Sequence, residues 1–193
     1  MGVYLFKPED LVRYGSATPE GLERLKEAIL SRKDILIVGS SRSGKTKLVE
    51  ALIHFIPDDR KVAVVTAYGE FKAFRPNVIL IDTSFDGQPL EQRTSKVISK
   101  IRALNPDYVV IDTVHTVDVS RIFRELIEDY AFIVTSLALT DDIKEEVKHW
   151  LGISGETFGR FDIVVELWRD WRTGMRKVNR IYKVEDGELR AIA

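Results

Sequence analysis

The chain has 193 residues, no cysteine and a formal net charge of -1; hydrophobic residues make up 45% of it and charged residues 31%. This is the composition of a globular protein with a sizeable core, and its charge balance does not indicate a nucleic-acid partner. No apolar stretch reaches the roughly 18 residues of a membrane span, and the first residues lack the pattern of a signal segment. We therefore expect a soluble, cytoplasmic protein.

Hydrophobic periodicity divides the chain into alternating strands and helices. In chain order it predicts an extended piece at residues 3–6, a helix at 19–30, strand 35–38, helix 45–56, strands 62–66 and 78–81, helix 90–104, strand 108–111, helix 119–130, strand 131–135, helix 141–151, and a hairpin of strands at 161–168 and 175–184. Ser16 or Thr18 is the expected cap of the first helix. The alternation predicts an α/β fold with a mostly parallel central sheet flanked by helices, followed by a C-terminal β-hairpin.

The segment GSSRSGKT lies between a predicted strand and a predicted helix. Gly39, Gly44, Lys45 and Thr46 fit the phosphate-binding loop pattern. Backbone N–H groups of such a loop wrap a phosphate, the lysine reaches the β and γ phosphates, and the threonine hydroxyl ligates Mg²⁺. The predicted nucleotide-binding residues are Gly39, Ser40, Ser41, Arg42, Ser43, Gly44, Lys45, Thr46 and Lys47. A glycine turn with a surface lysine is the structural alternative.

An acidic residue at the end of a buried strand is the second part of such a site, because it orients the metal ion through water. Asp82 and Asp112 both end apolar strands. We favour Asp112, since its strand is more continuously apolar and follows a long helix. Thr135 and Ser136 would lie beside the γ phosphate if their strand runs between the loop strand and the Asp112 strand. A helix cap is the equally open alternative for this pair.

From about residue 11 to residue 184, the chain resembles the C-terminal motor domain of the type II/type IV secretion ATPases, which also drive pili and archaeal surface filaments. The resemblance rests on the loop with its approach helix, on ISKIRALNPDYVVID, and on the closing strands FDIVVELWRDWRTGMRKVNRIYKV. It implies a RecA-like P-loop fold, ATP and Mg²⁺ as ligands, and a homo-oligomer or association with a secretion or pilus assembly. The family's N-terminal domain supplies arginines across the subunit boundary; we expect that domain to be absent, since 34 residues precede the first strand.

Four positions depart from the family pattern. Of an acidic pair after the second strand only Glu70 remains, and Thr113 stands where the family has a glutamate. Leu137 occupies the position of a family histidine, and Arg42 replaces a loop glycine. An arginine there strains the backbone or disturbs phosphate access, with a phosphate contact as the alternative. Because phosphoryl transfer depends on positioned charges, these departures favour nucleotide binding over fast turnover.

We therefore expect a single P-loop ATPase domain. It consists of an entry segment with a helix at residues 1–34, a nucleotide-binding core at 35–160, and C-terminal strands at 161–193. The predicted activity is Mg²⁺-dependent hydrolysis of ATP to ADP and phosphate, at a rate that the departures from the family pattern make slow.

Lys45 is expected to hold the β and γ phosphates during this reaction. Thr46 and Asp112 are the predicted metal residues, and Glu70 is the predicted residue that polarises the attacking water. A nucleotide-binding regulatory subunit without catalysis is the alternative function. A small-molecule kinase is a third interpretation, which requires an arginine lid formed by Arg169, Arg172 and Arg176.

Overall fold

The structure is a computed structural model that describes residues 6–84, 87–112 and 115–193. Most of the extended piece predicted at residues 3–6 lies outside these described residues, and so does Thr113. Phe6, the last residue of that predicted piece, is described and is not part of a helix or strand.

An eight-stranded sheet forms the centre of the described part of the chain. Its strands are β1 (Ile35–Gly39), β2 (Val62–Thr66), β3 (Val78–Asp82), β4 (Tyr108–Ile111), β5 (Ala131–Leu137), β6 (Ile163–Arg169), β7 (Arg176–Glu185) and β8 (Glu188–Ala191). Their order across the sheet is β3-β2-β4-β5-β1-β6-β7-β8. Strands β1 to β6 are parallel, and β6, β7 and β8 pair in antiparallel fashion. The predicted mostly parallel sheet with a C-terminal hairpin is confirmed, and β8 adds one strand to it.

Helices cover both faces of this sheet. They are α1 (Pro8–Arg13), α2 (Pro19–Leu30), α3 (Lys45–Ile53), α4 (Leu90–Leu104), α5 (Val119–Leu126), α6 (Ile143–Leu151) and α7 (Gly155–Phe158). Successive side chains of a strand point to opposite faces. Accordingly, Leu36 and Val38 of β1 join a core cluster with residues of α4 to α7, whereas Ile35 and Ile37 join a second cluster with residues of α1 to α3. Such double burial explains why the strands read as continuous apolar runs.

The element boundaries agree closely with the prediction, with a few physical exceptions. Helix α3 ends at Ile53, because residues 54–56 each donate to the carbonyl three residues earlier and Pro57 disfavours helical backbone in the residue before it. Helix α5 ends at Leu126, four residues before its predicted end. The short helices α1 and α7 carry too few residues for a clear periodic pattern. Thr18 caps α2 by accepting a hydrogen bond from the first turn.

Strand order decides which loops meet at the carboxyl edge of the sheet. Strand β5 lies between β1 and β4, and all three are parallel. Ile37 and Val38 of β1 pair with Thr135 and Ser136 of β5. The strand of Thr135 and Ser136 therefore runs between the loop strand and the Asp112 strand, as their predicted position beside the glycine loop required. The same edge also carries Asp112, the residue that follows β4.

Asp34 lies at the opposite, amino end of β1. Its Oδ1 accepts a hydrogen bond from the Phe132 N–H at 2.8 Å, and its own N–H donates to Asp162 Oδ2 at 2.9 Å. Burial raises the pKa of Asp34 to about 7, against the opposing effect of the Phe132 hydrogen bond. The charge of Asp162 adds to the rise in pKa, and the cations of Arg160 and Lys33 oppose it.

Asp34→Asn is expected to stabilise the protein at neutral pH. The folded pKa of about 7 exceeds the ordinary value of 3.8, so the folded state binds more protons between these values and stability falls as pH rises through them. Asparagine keeps an acceptor for the Phe132 N–H and removes the charge. The variant should nearly equal the native chain at pH 4 and exceed its unfolding free energy by roughly 2–4 kcal/mol at pH 8. Urea unfolding at both pH values checks this; a difference that does not change with pH contradicts it.

Candidate functional site

The glycine loop joins the end of β1 to the start of α3. Gly44 precedes the helix with a left-handed backbone, φ 101°, and offers no side chain to cap the first turn. The backbone N–H groups of that turn are therefore free of a side-chain cap and point toward the loop, as a phosphate-binding helix end requires. The Lys45 Nζ donates to the backbone carbonyls of Gly39 at 3.0 Å and Ser40 at 2.8 Å.

Arg42 adopts a left-handed backbone conformation inside this loop, with φ 60°. For a residue with a long side chain this conformation costs roughly 1–2 kcal/mol relative to the usual helical region, whereas glycine adopts it readily. The expectation that an arginine at this position strains the backbone is confirmed. The Arg42 side chain is exposed and lies on the wall of the cavity above the loop.

Asp112 is buried beside the loop at the end of β4. Its Oδ1 accepts a hydrogen bond from the Thr135 hydroxyl at 2.9 Å, while its Oδ2 is buried without a hydrogen-bond partner. Burial raises the pKa of the Asp112 carboxyl, and the Thr46 and Thr135 hydroxyls and the Lys45 charge oppose that shift. Burial also lowers the pKa of Lys45 to about 8, against the carboxylates of Asp112 and Glu70. The loop lysine and this aspartate therefore interact as a desolvated pair of opposite charge.

Asp82, the competing acidic residue, lies away from the loop. It ends the edge strand β3, which β2, β4 and β5 separate from β1. Its carboxylate is exposed and accepts hydrogen bonds from the backbone and hydroxyl of Ser84, at 2.8 and 2.6 Å. The structure therefore brings Asp112, and not Asp82, to the glycine loop.

A cavity of about 600 Å³ opens above the loop. Its walls are formed by residues 41–47 and by Ala67, Tyr68, Glu70, Asp112, His115, Thr116, Thr135, Ser136, Leu137 and Arg176. Glu70 is exposed at its edge, after the turn that follows β2. Of the predicted site residues, 41–47, Asp112 and Glu70 thus line one cavity, together with Thr135 and Ser136. Gly39 and Ser40 are not among its walls; their carbonyls instead accept hydrogen bonds from Lys45.

A second cavity of about 300 Å³ adjoins the first and is largely apolar. It lies between α1, the start of α3 and the hairpin of β6 and β7, and its apolar walls include Leu11, Tyr14, Leu167, Met175 and Val178. Both cavities share Ser43, Gly44, Lys47 and Arg176. A polar compartment and an apolar compartment therefore meet at the start of α3.

Sequence reasoning placed Arg176 near the phosphates only in the kinase interpretation, as part of an arginine lid, and not among the residues of the predicted ATPase site. The residue begins β7, and its Cδ lies 3.6 Å from the position that a Cβ on Gly44 would take. Its placement depends on β6 pairing with β1, which brings the hairpin against a loop some 130 positions earlier in the chain. The signal in the sequence was the arginine two residues after Gly174, within the closing strands that resemble the secretion ATPases. Of the three arginines predicted as a kinase lid, Arg176 alone lines the described cavity, and Arg169 instead stacks over Trp171 at 4.1 Å.

The donor set fits a metal ion held jointly by protein and phosphate. Among the described residues, no group of three or more His, Asp or Glu side chains could hold a metal ion by itself. The buried, unpartnered Oδ2 of Asp112 and the hydroxyl of Thr46 are oxygen donors of the kind that Mg²⁺ prefers. These two residues supply only part of a coordination shell, which phosphate oxygens and water complete in such sites.

Gly39→Ala is expected to displace the loop. A Cβ at this position would lie 2.7 Å from Ser43 Oγ and 2.8 Å from the backbone oxygen of Leu167. The second contact is with backbone, so the strand β6 or the loop must shift, at a cost of roughly 1–3 kcal/mol in unfolding free energy. Thermal unfolding measures the loss. Gly155→Ala is the matched control, because nothing lies within 4 Å of its new Cβ; equal effects of the two substitutions would contradict the account.

The fold and the loop geometry together define a RecA-like α/β domain of the P-loop class. The chain belongs to the family described as uncharacterised conserved protein UCP018868, whose model matches residues 1–193. Among the described residues, no helix combines the length and the apolar character needed to cross a bilayer.

Curated relatives confirm the resemblance to the secretion ATPases. The chain is 29% identical over 121 residues to the uncharacterized protein MJ1287 of Methanocaldococcus jannaschii, covering 62% of this chain and 45% of that protein. It is 34% identical over 103 residues to the type IV secretion system protein VirB11 of Bartonella henselae, covering 53% and 29%. With the probable conjugal transfer protein TrbB of Sinorhizobium fredii it shares 33% over 110 residues, covering 55% and 32%. The chain thus spans less than half the length of these relatives.

Solved structures show the same fold. The VirB11 ATPase of the Brucella suis type IV secretion system, in complex with sulphate, superposes with a TM-score of 0.63 at 15% identity and covers 91% of this chain and 54% of that one. The Legionella pneumophila ATPase DotB gives a TM-score of 0.57 at 10% identity, covering 94% and 52%. The predicted RecA-like fold is therefore confirmed.

Proposed function

We propose that this protein binds ATP with Mg²⁺ and hydrolyses it slowly. The observation that carries the proposal is the glycine loop, with its lysine, set against a buried aspartate that has one unpartnered oxygen. A phosphate requires cationic and N–H donors, and a magnesium ion requires the oxygen. The relationship to proteins named as secretion ATPases supports the same choice of ligand.

In the proposed complex, the N–H groups of residues 39–46 donate to phosphate oxygens and Lys45 moves its ammonium from the loop carbonyls to the β and γ phosphates. Thr46 and the free oxygen of Asp112 are the residues that would hold the metal ion, and Asp112 would do so through water. Mg²⁺, when bound, offsets the charge of the phosphates. Thr135 keeps the Asp112 carboxylate in place through its 2.9 Å hydrogen bond.

The apolar cavity supplies the place for the nucleoside. It adjoins the phosphate-side cavity at Gly44 and Arg176, so a nucleotide whose phosphates lie in the loop can extend its base toward Leu11, Tyr14 and Val178. A purine is flat and largely apolar on its faces, which matches such walls. This arrangement supports a nucleoside triphosphate as ligand, in preference to free phosphate.

The site offers fewer groups that would accelerate hydrolysis than groups that would bind the nucleotide. Glu70 is the described carboxylate at the edge of the cavity that can reach a water near the γ phosphate, and it is exposed at the end of a turn. Leu137 lines the cavity wall and can neither donate nor accept a proton. Since phosphoryl transfer is slow without a well-positioned water, a low turnover follows.

A nucleotide-binding regulatory subunit is the second candidate function, and the exposure of Glu70 together with Leu137 in the cavity favours it over a fast motor. In that case the nucleotide would stabilise a surface for a second copy of the chain or for a secretion-type assembly. The position of Arg169 over Trp171, outside the cavity, does not favour the small-molecule kinase.

Equilibrium binding and phosphate release, measured side by side on the native chain, test the proposal. MgATP and MgADP are expected to bind, AMP to bind much more weakly because it cannot fill the loop, and phosphate release to be slow but above background. Binding without release would establish the regulatory alternative. If none of the three nucleotides bound, both functions would be overturned.

A further inference from the structure

The phosphate-side cavity carries more cations than its own carboxylates balance. The charged side chains on its walls are Arg42, Lys45, Lys47, Arg176, Glu70 and Asp112. Lys47 forms an ion pair with Glu50 at 2.7 Å, and Lys45 interacts with both wall carboxylates. Within the described residues, the guanidinium groups of Arg42 and Arg176 form no hydrogen bond or ion pair. Two arginine cations therefore face this space without a protein anion.

Arg42 reaches the cavity only through a strained backbone. Its φ of 60° lies in the left-handed region, where a glycine would fit without strain. Arg32 provides a comparison, since it has nearly the same conformation, φ 55°, but pairs its guanidinium with Asp107 at 3.3 Å. Residues held in strained backbone conformations are concentrated at active sites and ligand sites. We therefore look to a bound ligand for the anionic partner of Arg42.

The two free arginines lie at different points along the path of a bound nucleotide. Arg176 lines both cavities and packs its Cδ over Gly44, at the boundary between the phosphate side and the nucleoside side. Arg42 lines the polar cavity but not the apolar one, and the same is true of Asp112 and Glu70. It is therefore at the end of the site where the outermost phosphate of a nucleotide would lie.

We propose that Arg42 contacts the γ phosphate and makes the site select a nucleoside triphosphate over a diphosphate. This inference rests on the proposed nucleotide-binding function. A guanidinium forms two parallel hydrogen bonds with phosphate oxygens, which a single ammonium cannot reproduce. An arginine of the same chain beside the γ phosphate also stabilises the charge that develops during phosphoryl transfer.

Arg42→Gly tests the proposal because strain and ligand contact predict opposite effects. Glycine relieves the backbone strain, so the nucleotide-free variant should melt roughly 2 °C or more above the native chain. Its affinity for MgATP should fall about tenfold, and that for MgADP less than about threefold, since only ATP loses a charge-assisted contact. Arg42→Lys should recover part of the MgATP affinity. The readout is the ratio of the two dissociation constants, measured by calorimetry or fluorescence.

Two further variants serve as controls. Arg32→Gly relieves the same kind of strain away from the cavity and should leave both affinities unchanged. Arg176→Ala should weaken MgATP and MgADP by a similar factor, because that residue lies at the boundary and not at the γ end. An unchanged ratio in Arg42→Gly overturns the inference while the native chain still binds nucleotide. If the native chain binds neither nucleotide, the inference and the proposed function fall together.

Discussion

Lys45→Ala is expected to lower the affinity for MgATP by roughly 100-fold, because in the proposed complex its ammonium donates to two phosphates at once. Each charge-assisted hydrogen bond contributes about 1.5–3 kcal/mol. In the nucleotide-free protein this ammonium donates to the carbonyls of Gly39 and Ser40, at 3.0 and 2.8 Å, so it is already held at the loop. Burial lowers its pKa to about 8, so its charged form is desolvated at the loop, while the carboxylates of Asp112 and Glu70 oppose that shift. Isothermal titration with MgATP measures the loss.

The matched control for this substitution is Lys144→Ala. Lys144 carries the same charge on α6 and pairs with Glu188 at 2.7 Å, outside both cavities. Its removal should leave MgATP affinity within about twofold of native, since exposed ion pairs contribute little. If Lys45→Ala bound MgATP as tightly as this control does, the glycine loop would not be the phosphate site.

Asp112→Asn is expected to reduce phosphate release roughly 100-fold or more and to remove the gain in ATP affinity that Mg²⁺ provides. The variant loses the negative oxygen that is buried without a partner, while its amide oxygen can still accept from the Thr135 hydroxyl. Because burial raises the pKa of this carboxyl, replacing it with a neutral group should keep or increase thermal stability. Loss of activity in a protein of unchanged or higher stability separates a metal-binding role from a structural one.

Asp82→Asn provides the control for that experiment. Asp82 is also the acidic residue at the end of an apolar strand, but that strand, β3, lies at the edge of the sheet, and the Asp82 carboxylate accepts hydrogen bonds from Ser84. Magnesium dependence and phosphate release should be unchanged in this variant. Equal losses in the two aspartate variants would mean that the metal ion is not held at β4. A titration of Mg²⁺ at fixed ATP, for both variants, distinguishes the outcomes.

Much of the fold follows from local sequence signals. Strands such as β4 and helices such as α4 were predicted to the residue, because buried parallel strands are continuous apolar runs and the flanking helix has a clear period. The end of α3 was placed three residues too far along the chain, since the tight turns before Pro57 keep the apolar pattern of a helix. Four-residue and six-residue helices contain too little pattern to be found in this way.

The site was predictable where it is local and unpredictable where it depends on strand order. The glycine loop is contiguous, and Asp112 could be preferred over Asp82 from the character of its strand. The position of Thr135 depended on whether β5 enters between β1 and β4, which no local pattern decides. Arg176 comes from a hairpin that reaches the loop only because β6 pairs with β1. For Arg42 the sequence left strain and phosphate contact as alternatives; the structure shows the strained backbone, and the phosphate contact is our proposal.

The most direct test of the central claim is to observe the loop itself as nucleotide is added. Backbone amide resonances of residues 39–46 in ¹⁵N-labelled native protein should shift in a saturable manner with MgATP, most strongly at Gly44, Lys45 and Thr46, whose N–H groups face the phosphates in the proposed complex. Arg42 should shift with MgATP more than with MgADP. Saturable shifts confined to another surface, with the loop resonances unmoved, would contradict the account.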